Sequence, residues 1–173
     1  MSVAAASFGG HYREEKEFRM GVIMSFTRVS AVELEQLAAT AEWPDDFLDG
    51  LEIHDGGPSG YLDKAWAGLA YLLAQANIGV DLVDTGRPLA DDNYFAWHPD
   101  DVSATAKVLS RIPFDELALF FDPAAMDAAG VYPNIWVRDG ESGLHYLRHH
   151  YDGLEQVFRY AAERGSGFLQ HFG

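Results

Sequence analysis

Four polar side chains near the end of the chain recur at the spacing of a single helix face. Glu141, His145, His149 and Asp152 stand at i, i+4, i+8 and i+11, and at about 100° per residue they share one quadrant. Two imidazoles at i and i+4 can bind a divalent ion, and a carboxylate three residues later can complete the set. The quadrant points away from the apolar stripe of the same helix, so we expect solvated side chains. His145, His149 and Asp152 are therefore a candidate for a surface metal site only, and no cofactor is predicted.

A second group consists of charged side chains that stand beside aromatic ones. A pocket lined by aromatic rings with one or two fixed charges is typical of a small-ligand site. Each residue also has an ordinary structural explanation, such as the helix dipole for Asp63 and a surface ion pair for Lys64. The candidates for binding a ligand or a partner are Asp63, Lys64, Trp66, Arg87, Tyr132, Trp136 and Arg138.

No catalytic motif is present in the sequence. The glycine-rich phosphate loops are missing, and Gly140-Glu141-Ser142-Gly143 departs from the nucleophile elbow by one position. Ser142 is instead predicted to be a helix N-cap. With no cysteine in the chain, disulfides, thiolate nucleophiles and cysteine-ligated metals are excluded. We therefore assign no catalytic residue.

Periodicity and capping residues predict the elements that would position these side chains. The longest helix carries an apolar stripe and ends near Gly165, and a capping box at Ser30 and Glu33 begins the first helix. Further helices are predicted from Pro44, over residues 62–74, from Pro99, from Phe114 and from Pro123. Strands are predicted over residues 21–29, 80–83 and 168–172, with a turn at 84–88. Residues 131–137 are predicted to be extended but are interrupted by Pro133, so they form an edge strand or a loop. The fold class is α+β, a helix-rich single domain with a small sheet of few strands. The stripe of the longest helix consists of Leu144, Leu147, Tyr151, Leu154, Phe158 and Ala161.

Length and charge limit the kind of protein this can be. The chain has 173 residues, enough for one domain with its own core. Twelve Lys and Arg residues against 27 Asp and Glu give a net charge of −15, which argues against nucleic acid or an anionic membrane as the main partner. Neither a secretory signal nor an apolar stretch long enough for a membrane span is present, so a cytoplasmic protein is expected. Residues 1–19 are interpreted as a disordered extension. The alternative is that translation starts at Met20. Residues 20–173 are predicted to form the domain.

Several blocks of the sequence resemble the YfbM-like family of bacterial proteins. The resemblance covers nearly all of residues 20–173 and implies a compact α+β domain of unknown function, with no catalytic residues to carry over. It also implies a shared surface or pocket at Asp63, Lys64, Trp66, Arg87, Tyr132 and Trp136. The matching blocks are Met20-Gly21-Val22-Ile23, Leu62-Asp63-Lys64-Ala65-Trp66-x-Gly68-Leu69-x-Tyr71-Leu72-Leu73, Gly86-Arg87-Pro88-Leu89, Phe121-Asp122-Pro123-x-x-Met126 and Gly130-Val131-Tyr132-Pro133-x-Ile135-Trp136.

Two functions remain open at this stage. The first is a non-catalytic acidic cytosolic domain that binds a basic protein partner, as an antidote binds a toxin. The second is a small-ligand-binding protein or small enzyme with a pocket around Lys64, Arg87, Tyr132 and Trp136. The second requires these residues, which are distant in the sequence, to converge on one concavity.

Overall fold

The computed structural model of the chain describes residues 21–43, 48, 56–90 and 92–173. Within these ranges there are five strands and seven helices. The strands are β1 (Met24–Val29), β2 (Gly60–Asp63), β3 (Arg87–Pro88), β4 (Tyr94–Trp97) and β5 (Gly167–Phe172). The helices are α1 (Ala31–Ala39), α2 (Trp66–Gln75), α3 (Pro99–Leu109), α4 (Phe114–Ala118), α5 (Pro123–Ala128), α6 (Trp136–Asp139) and α7 (Glu141–Glu163).

All five strands belong to one antiparallel sheet with the order β2-β1-β5-β4-β3. Alternation along the strands sends neighbouring residues to opposite faces. On one face Phe26, Trp97 and Phe168 pack against Phe158 of α7, with ring centroids 4.8–5.4 Å apart. On the other face Val29, Ala96 and Leu169 contact Leu34 and Leu37 of α1. The fold is therefore an α+β single domain, as the sequence predicts.

The longest helix faces the way its periodicity predicts. Leu147, Tyr151, Leu154, Phe158 and Ala161 are buried, and Leu144 is partly buried. The core of the domain thus lies between α7 and the sheet, with α3 packed beside α7. No helix within the described ranges combines the length and the apolar character needed to cross a membrane.

Several predicted helix starts are confirmed. The hydroxyl of Ser30 accepts the Glu33 N–H at 3.1 Å while the Glu33 carboxylate accepts the Ser30 N–H at 2.7 Å, which completes the capping box. Helix α3 begins at Pro99, and α5 begins at Pro123 with the Asp122 side chain accepting the Ala125 N–H. Ser142 was the wrong residue for a cap, because α7 follows Gly140 and has no side-chain cap. The helix predicted from Pro44, and the segment 1–19, lie outside the described residues.

The other elements that differ from the sequence prediction do so for one reason. At each of them a turn or a strand pairing overrides the local periodicity. The helix predicted over 62–74 is instead strand β2 followed by α2, because the backbone turns at Asp63, where φ is 49°. The segment 80–83 is a turn, in which the Asp81 carboxylate accepts the Val83 and Asp84 N–H groups. Arg87–Pro88 is not a turn but an edge strand paired with β4. The segment 131–137 is not extended, and helix α6 begins at Trp136.

Candidate functional site

Four of the seven candidate residues come together where β2 ends and α2 begins. Trp66 and Tyr132 stack with their ring centroids 5.9 Å apart. A methyl group on Gly21 would lie 2.7 Å from Lys64 Nζ and 2.8 Å from the Tyr132 hydroxyl, so both polar atoms lie against Gly21. We call this cluster of Asp63, Lys64, Trp66 and Tyr132, together with Tyr146 of α7, the β2–α2 corner.

Val22 positions the aromatic part of the β2–α2 corner through its backbone. Its carbonyl accepts the Trp66 indole N–H at 3.1 Å, and its backbone also forms a hydrogen bond with Tyr132. Burial raises the pKa of Tyr132, the hydrogen bond from Val22 lowers it in part, and the Asp63 carboxylate adds to the rise. The net direction is upward, so the Tyr132 hydroxyl is a neutral hydrogen-bonding group at physiological pH.

Tyr146 connects α7 to the turn at Asp63. Its hydroxyl donates to Asp63 Oδ2 at 2.9 Å and accepts the Lys64 backbone N–H at 3.1 Å. The Tyr61 hydroxyl donates to the other carboxylate oxygen at 3.3 Å. Burial, and then the hydrogen bond to Asp63, raise the pKa of Tyr146 well above its usual range. Tyr146 was not among the sequence candidates, because it lies 83 residues from Asp63 and no local pattern links the two.

His150 lies one turn beyond Tyr146 on α7, and their rings meet edge to face at 4.7 Å. Partial burial lowers the pKa of His150, and the neighbouring His149 lowers it further. A hydrogen bond with the Tyr61 backbone and the charge of Asp63 act in the opposite direction. The net shift is downward, which favours a neutral imidazole packed against the β2–α2 corner.

The other three candidates lie elsewhere. Arg87 is exposed on β3, at the opposite edge of the sheet from β2. Trp136 is fully buried, and its indole N–H donates to the Val131 carbonyl at 2.8 Å. Arg138 is exposed and donates to Asp139 at 2.6 Å, which lowers the pKa of that carboxyl. The predicted pocket around Lys64, Arg87, Tyr132 and Trp136 therefore does not form as one concavity.

The histidines of the surface metal candidate are exposed, as predicted. His145 Nε2 lies 3.9 Å from the Glu141 carboxylate, and the imidazole is 69% exposed. The ring of His149 meets that of His150 at 5.2 Å. Asp152 lies in a separate groove with Arg148. Within the described ranges, no three histidine, aspartate or glutamate side chains are placed to hold one metal ion.

Two surface concavities lie away from the β2–α2 corner. The larger, about 460 Å³, is formed by the end of α3, the start of α4 and the middle of α7. Its charged groups include Arg148, which lies over the Phe114 ring at 4.8 Å and donates to Asp115. Its floor includes Tyr151, whose hydroxyl donates to the Ile112 carbonyl at 2.6 Å, and burial raises the pKa of Tyr151 to about 12. The smaller, about 170 Å³, lies beside Arg28 and Tyr160.

A comparison with protein families identifies one match along most of the chain. Residues 20–171 match the model of a domain of unknown function, DUF1877. The chain belongs to this family. Its sequence has no match among functionally curated proteins.

A solved structure shares the fold of this DUF1877 domain. It is the crystal structure of YfbM, a protein of unknown function from Escherichia coli, with a TM-score of 0.66 and 17% sequence identity. The match covers 87% of this chain and 99% of the YfbM chain. At this identity the similarity shows a YfbM-like fold, and the family model together with it supports the YfbM-like domain that the sequence blocks indicate.

Proposed function

We propose that this DUF1877 domain is a non-catalytic cytoplasmic domain that binds a basic protein partner, in the manner of an antidote that sequesters a toxin. The observation that supports this most is the charge, since 27 acidic residues stand against 12 basic ones. Carboxylates are exposed on α1, α3, α4 and α7, for example at Glu35, Asp100, Glu116 and Asp152. A negative surface of this kind accelerates encounter with a basic partner by roughly 10- to 1,000-fold at low ionic strength.

The experiment is affinity capture at low salt from the native host, followed by reconstitution with the purified partner. We expect a basic protein whose association rate falls steeply with added salt while its dissociation rate changes little. A partner that is itself acidic, or an affinity that does not respond to salt, contradicts the proposal. Failure to recover any basic partner at low salt also contradicts it.

A second candidate function is supported by the convergence at the β2–α2 corner. Lys64, Trp66 and Tyr132 combine an ammonium group, a hydroxyl and a stacked aromatic surface. Among the described residues, no carboxylate forms an ion pair with the Lys64 ammonium. This chemistry suits a small carboxylate or phosphate.

The second candidate is tested by titrating acetate, citrate and inorganic phosphate into the protein and following the tyrosine and lysine NMR signals. Saturable shifts that Lys64→Met abolishes, and that Lys107→Met at an exposed position of α3 leaves unchanged, would favour ligand binding. Absence of saturable shifts at millimolar concentrations of all three anions would reject it.

A further inference from the structure

Three exposed apolar side chains lie on two segments whose neighbouring residues pack against each other. Five large apolar residues are exposed in the described part of the chain, and three of them are Leu119, Phe120 and Val137, at 83%, 41% and 60%. Leu119 and Phe120 follow the last turn of α4, and Val137 lies on α6. The other two, Val32 and Tyr61, lie on α1 and β2. We call Leu119, Phe120 and Val137 the apolar patch.

Packing beneath the surface brings the two segments of the apolar patch together. The next residue after Phe120 is Phe121, whose ring meets the buried Trp136 edge to face at 6.4 Å. Val137 directly follows Trp136, so the contact between Phe121 and Trp136 joins the two exposed segments through their inward-facing neighbours. Phe121 and Trp136 are turned inward, which leaves Leu119, Phe120 and Val137 on the outside.

Backbone hydrogen bonds hold the apolar patch in place. The Phe120 N–H donates to the Leu117 carbonyl at 3.0 Å, and the Phe121 N–H donates to the Ala118 carbonyl at 3.1 Å. The Asp127 carboxylate accepts the N–H groups of Trp136 and Val137 at 3.1 and 2.9 Å. The apolar patch is therefore presented on a preformed backbone, which lowers the entropic cost of binding.

The segments that carry the apolar patch are acidic in sequence. Between residues 114 and 142 the chain carries six carboxylates and a single cation, Arg138. That cation is already paired with Asp139 at 2.6 Å. Glu116 and Asp122 are exposed on either side of Leu119 and Phe120. An apolar centre with a carboxylate rim is complementary to a segment with apolar side chains on one side and Lys or Arg around them.

We propose that the apolar patch is the docking surface for a basic amphipathic helix of the partner protein. The apolar side chains of that helix contact Leu119, Phe120 and Val137, and its flanking cations pair with Glu116 and Asp122. This inference rests on the proposed function and specifies the surface and the chemistry of its partner.

The test uses a synthetic peptide of about 18 residues, with leucines at helical spacing on one face and lysines on the other. A peptide of the same composition in scrambled order is the reference for charge alone. Binding to the full chain is followed by NMR at low salt. We expect the amphipathic peptide to bind more tightly than the scrambled one and to shift the signals of residues 116–122 and 136–138.

One substitution on the apolar patch and one at the neighbouring carboxylate Glu116 are compared with two on α1. Helix α1 packs on the face of the sheet opposite to α7. We expect Leu119→Ser to weaken binding by about tenfold, because it removes one buried apolar side chain from the contact. We expect Glu116→Gln to weaken binding less and to reduce the salt dependence. The controls, Val32→Ser and Glu35→Gln, replace an exposed apolar residue by serine and an exposed glutamate by glutamine on α1, and both are expected to leave binding unchanged.

The outcomes separate this inference from the proposed function. If the peptide binds in a salt-dependent way but Leu119→Ser and Val32→Ser behave alike, the docking surface is wrong while the proposed function stands. If neither peptide binds at low salt, both are contradicted. Light scattering of the free protein is the third readout, because a dimer that Leu119→Ser converts to a monomer would show that a second copy of the chain occupies the apolar patch.

Discussion

At the scale of single residues, the β2–α2 corner depends on one hydroxyl. Tyr146 donates to the Asp63 carboxylate and accepts the next backbone N–H, at a turn where Asp63 has a positive φ of 49°. A non-glycine residue in this region of backbone space is held there by its surroundings. The hydrogen bonds of Tyr146 therefore help to fix the break between β2 and α2 that the sequence pattern does not predict.

We expect Tyr146→Phe to lower the free energy of unfolding by about 1–3 kcal/mol, because it leaves a half-buried carboxylate and a backbone N–H without their partner. Urea denaturation measures the change. The control is Tyr61→Phe, which removes a longer bond from an exposed side chain and should lower the free energy of unfolding much less. Equal costs for the two variants would contradict the role given to Tyr146.

The lowered pKa of His150 indicates that the free energy of unfolding depends on pH. In the folded state the imidazole resists protonation, while in the unfolded chain it titrates near its ordinary value of about 6.5. The unfolded state therefore binds more protons between the two pKa values. The contribution of His150 to the free energy of unfolding is complete above about pH 6.5. It is lost as the pH falls from that value toward the pKa of the folded state.

We expect His150→Gln to flatten the fall in the free energy of unfolding between about pH 7 and pH 5. Urea denaturation across this range measures the slope. His145→Gln makes the same change at a 69% exposed position of the same helix and is the matched control for the substitution itself. A wild-type slope retained in His150→Gln would show that other groups cause the pH dependence.

At the scale of elements, the close approach of α2 to α6 and α7 requires a glycine. A methyl group on Gly68 would lie 2.6 Å from Trp136 Cη2 and 2.7 Å from Leu147 Cδ2, both in the buried core. Glycine in a helix normally costs stability relative to alanine. Here the packing of Trp136 against α2 outweighs that cost.

We expect Gly68→Ala to lower the free energy of unfolding by about 1–3 kcal/mol, because the buried ring and Leu147 must move. Gly153→Ala on α7 is the matched test of helix propensity, since nothing lies within 4 Å of a methyl group there. It should raise stability by about 0.4–1 kcal/mol. Thermal denaturation of both variants measures the difference, and stabilisation by both would disprove tight packing at Gly68.

At the scale of the whole molecule, the net charge of −15 opposes compaction. Carboxylates are exposed on α1, α3, α4 and α7, so their mutual repulsion is released when the chain expands. The same charge supports the proposed encounter with a basic partner. Salt should therefore act on folding and on binding in opposite directions.

We expect the melting temperature to rise as NaCl increases from about 10 mM to about 150 mM, where the screening length falls from about 30 Å to about 8 Å. A gain on the order of 1 kcal/mol in the free energy of unfolding corresponds to a rise of about 2–4 °C in the melting temperature for a chain of this size. Choline chloride serves as the control for specific sodium binding and should give the same rise. A flat or falling melting temperature would show that repulsion among the carboxylates does not limit stability.

The sequence alone determined those features whose cause is local. Caps at Ser30 and Asp122 and the apolar stripe of α7 depend on residues three or four positions apart, so helix starts and facing could be predicted. The sequence blocks that resemble the YfbM-like family also indicated the family.

Tertiary structure decided what depends on distant residues. The break at Asp63 is fixed in part by Tyr146, 83 residues away, and the edge strand at Arg87 exists through its pairing with β4. The same long-range packing brings Lys64 and Tyr132 together, sends Arg87 to the far edge of the sheet and buries Trp136. Periodicity reports which face of an element is apolar, but the partner of that face is selected by the packing of the whole chain.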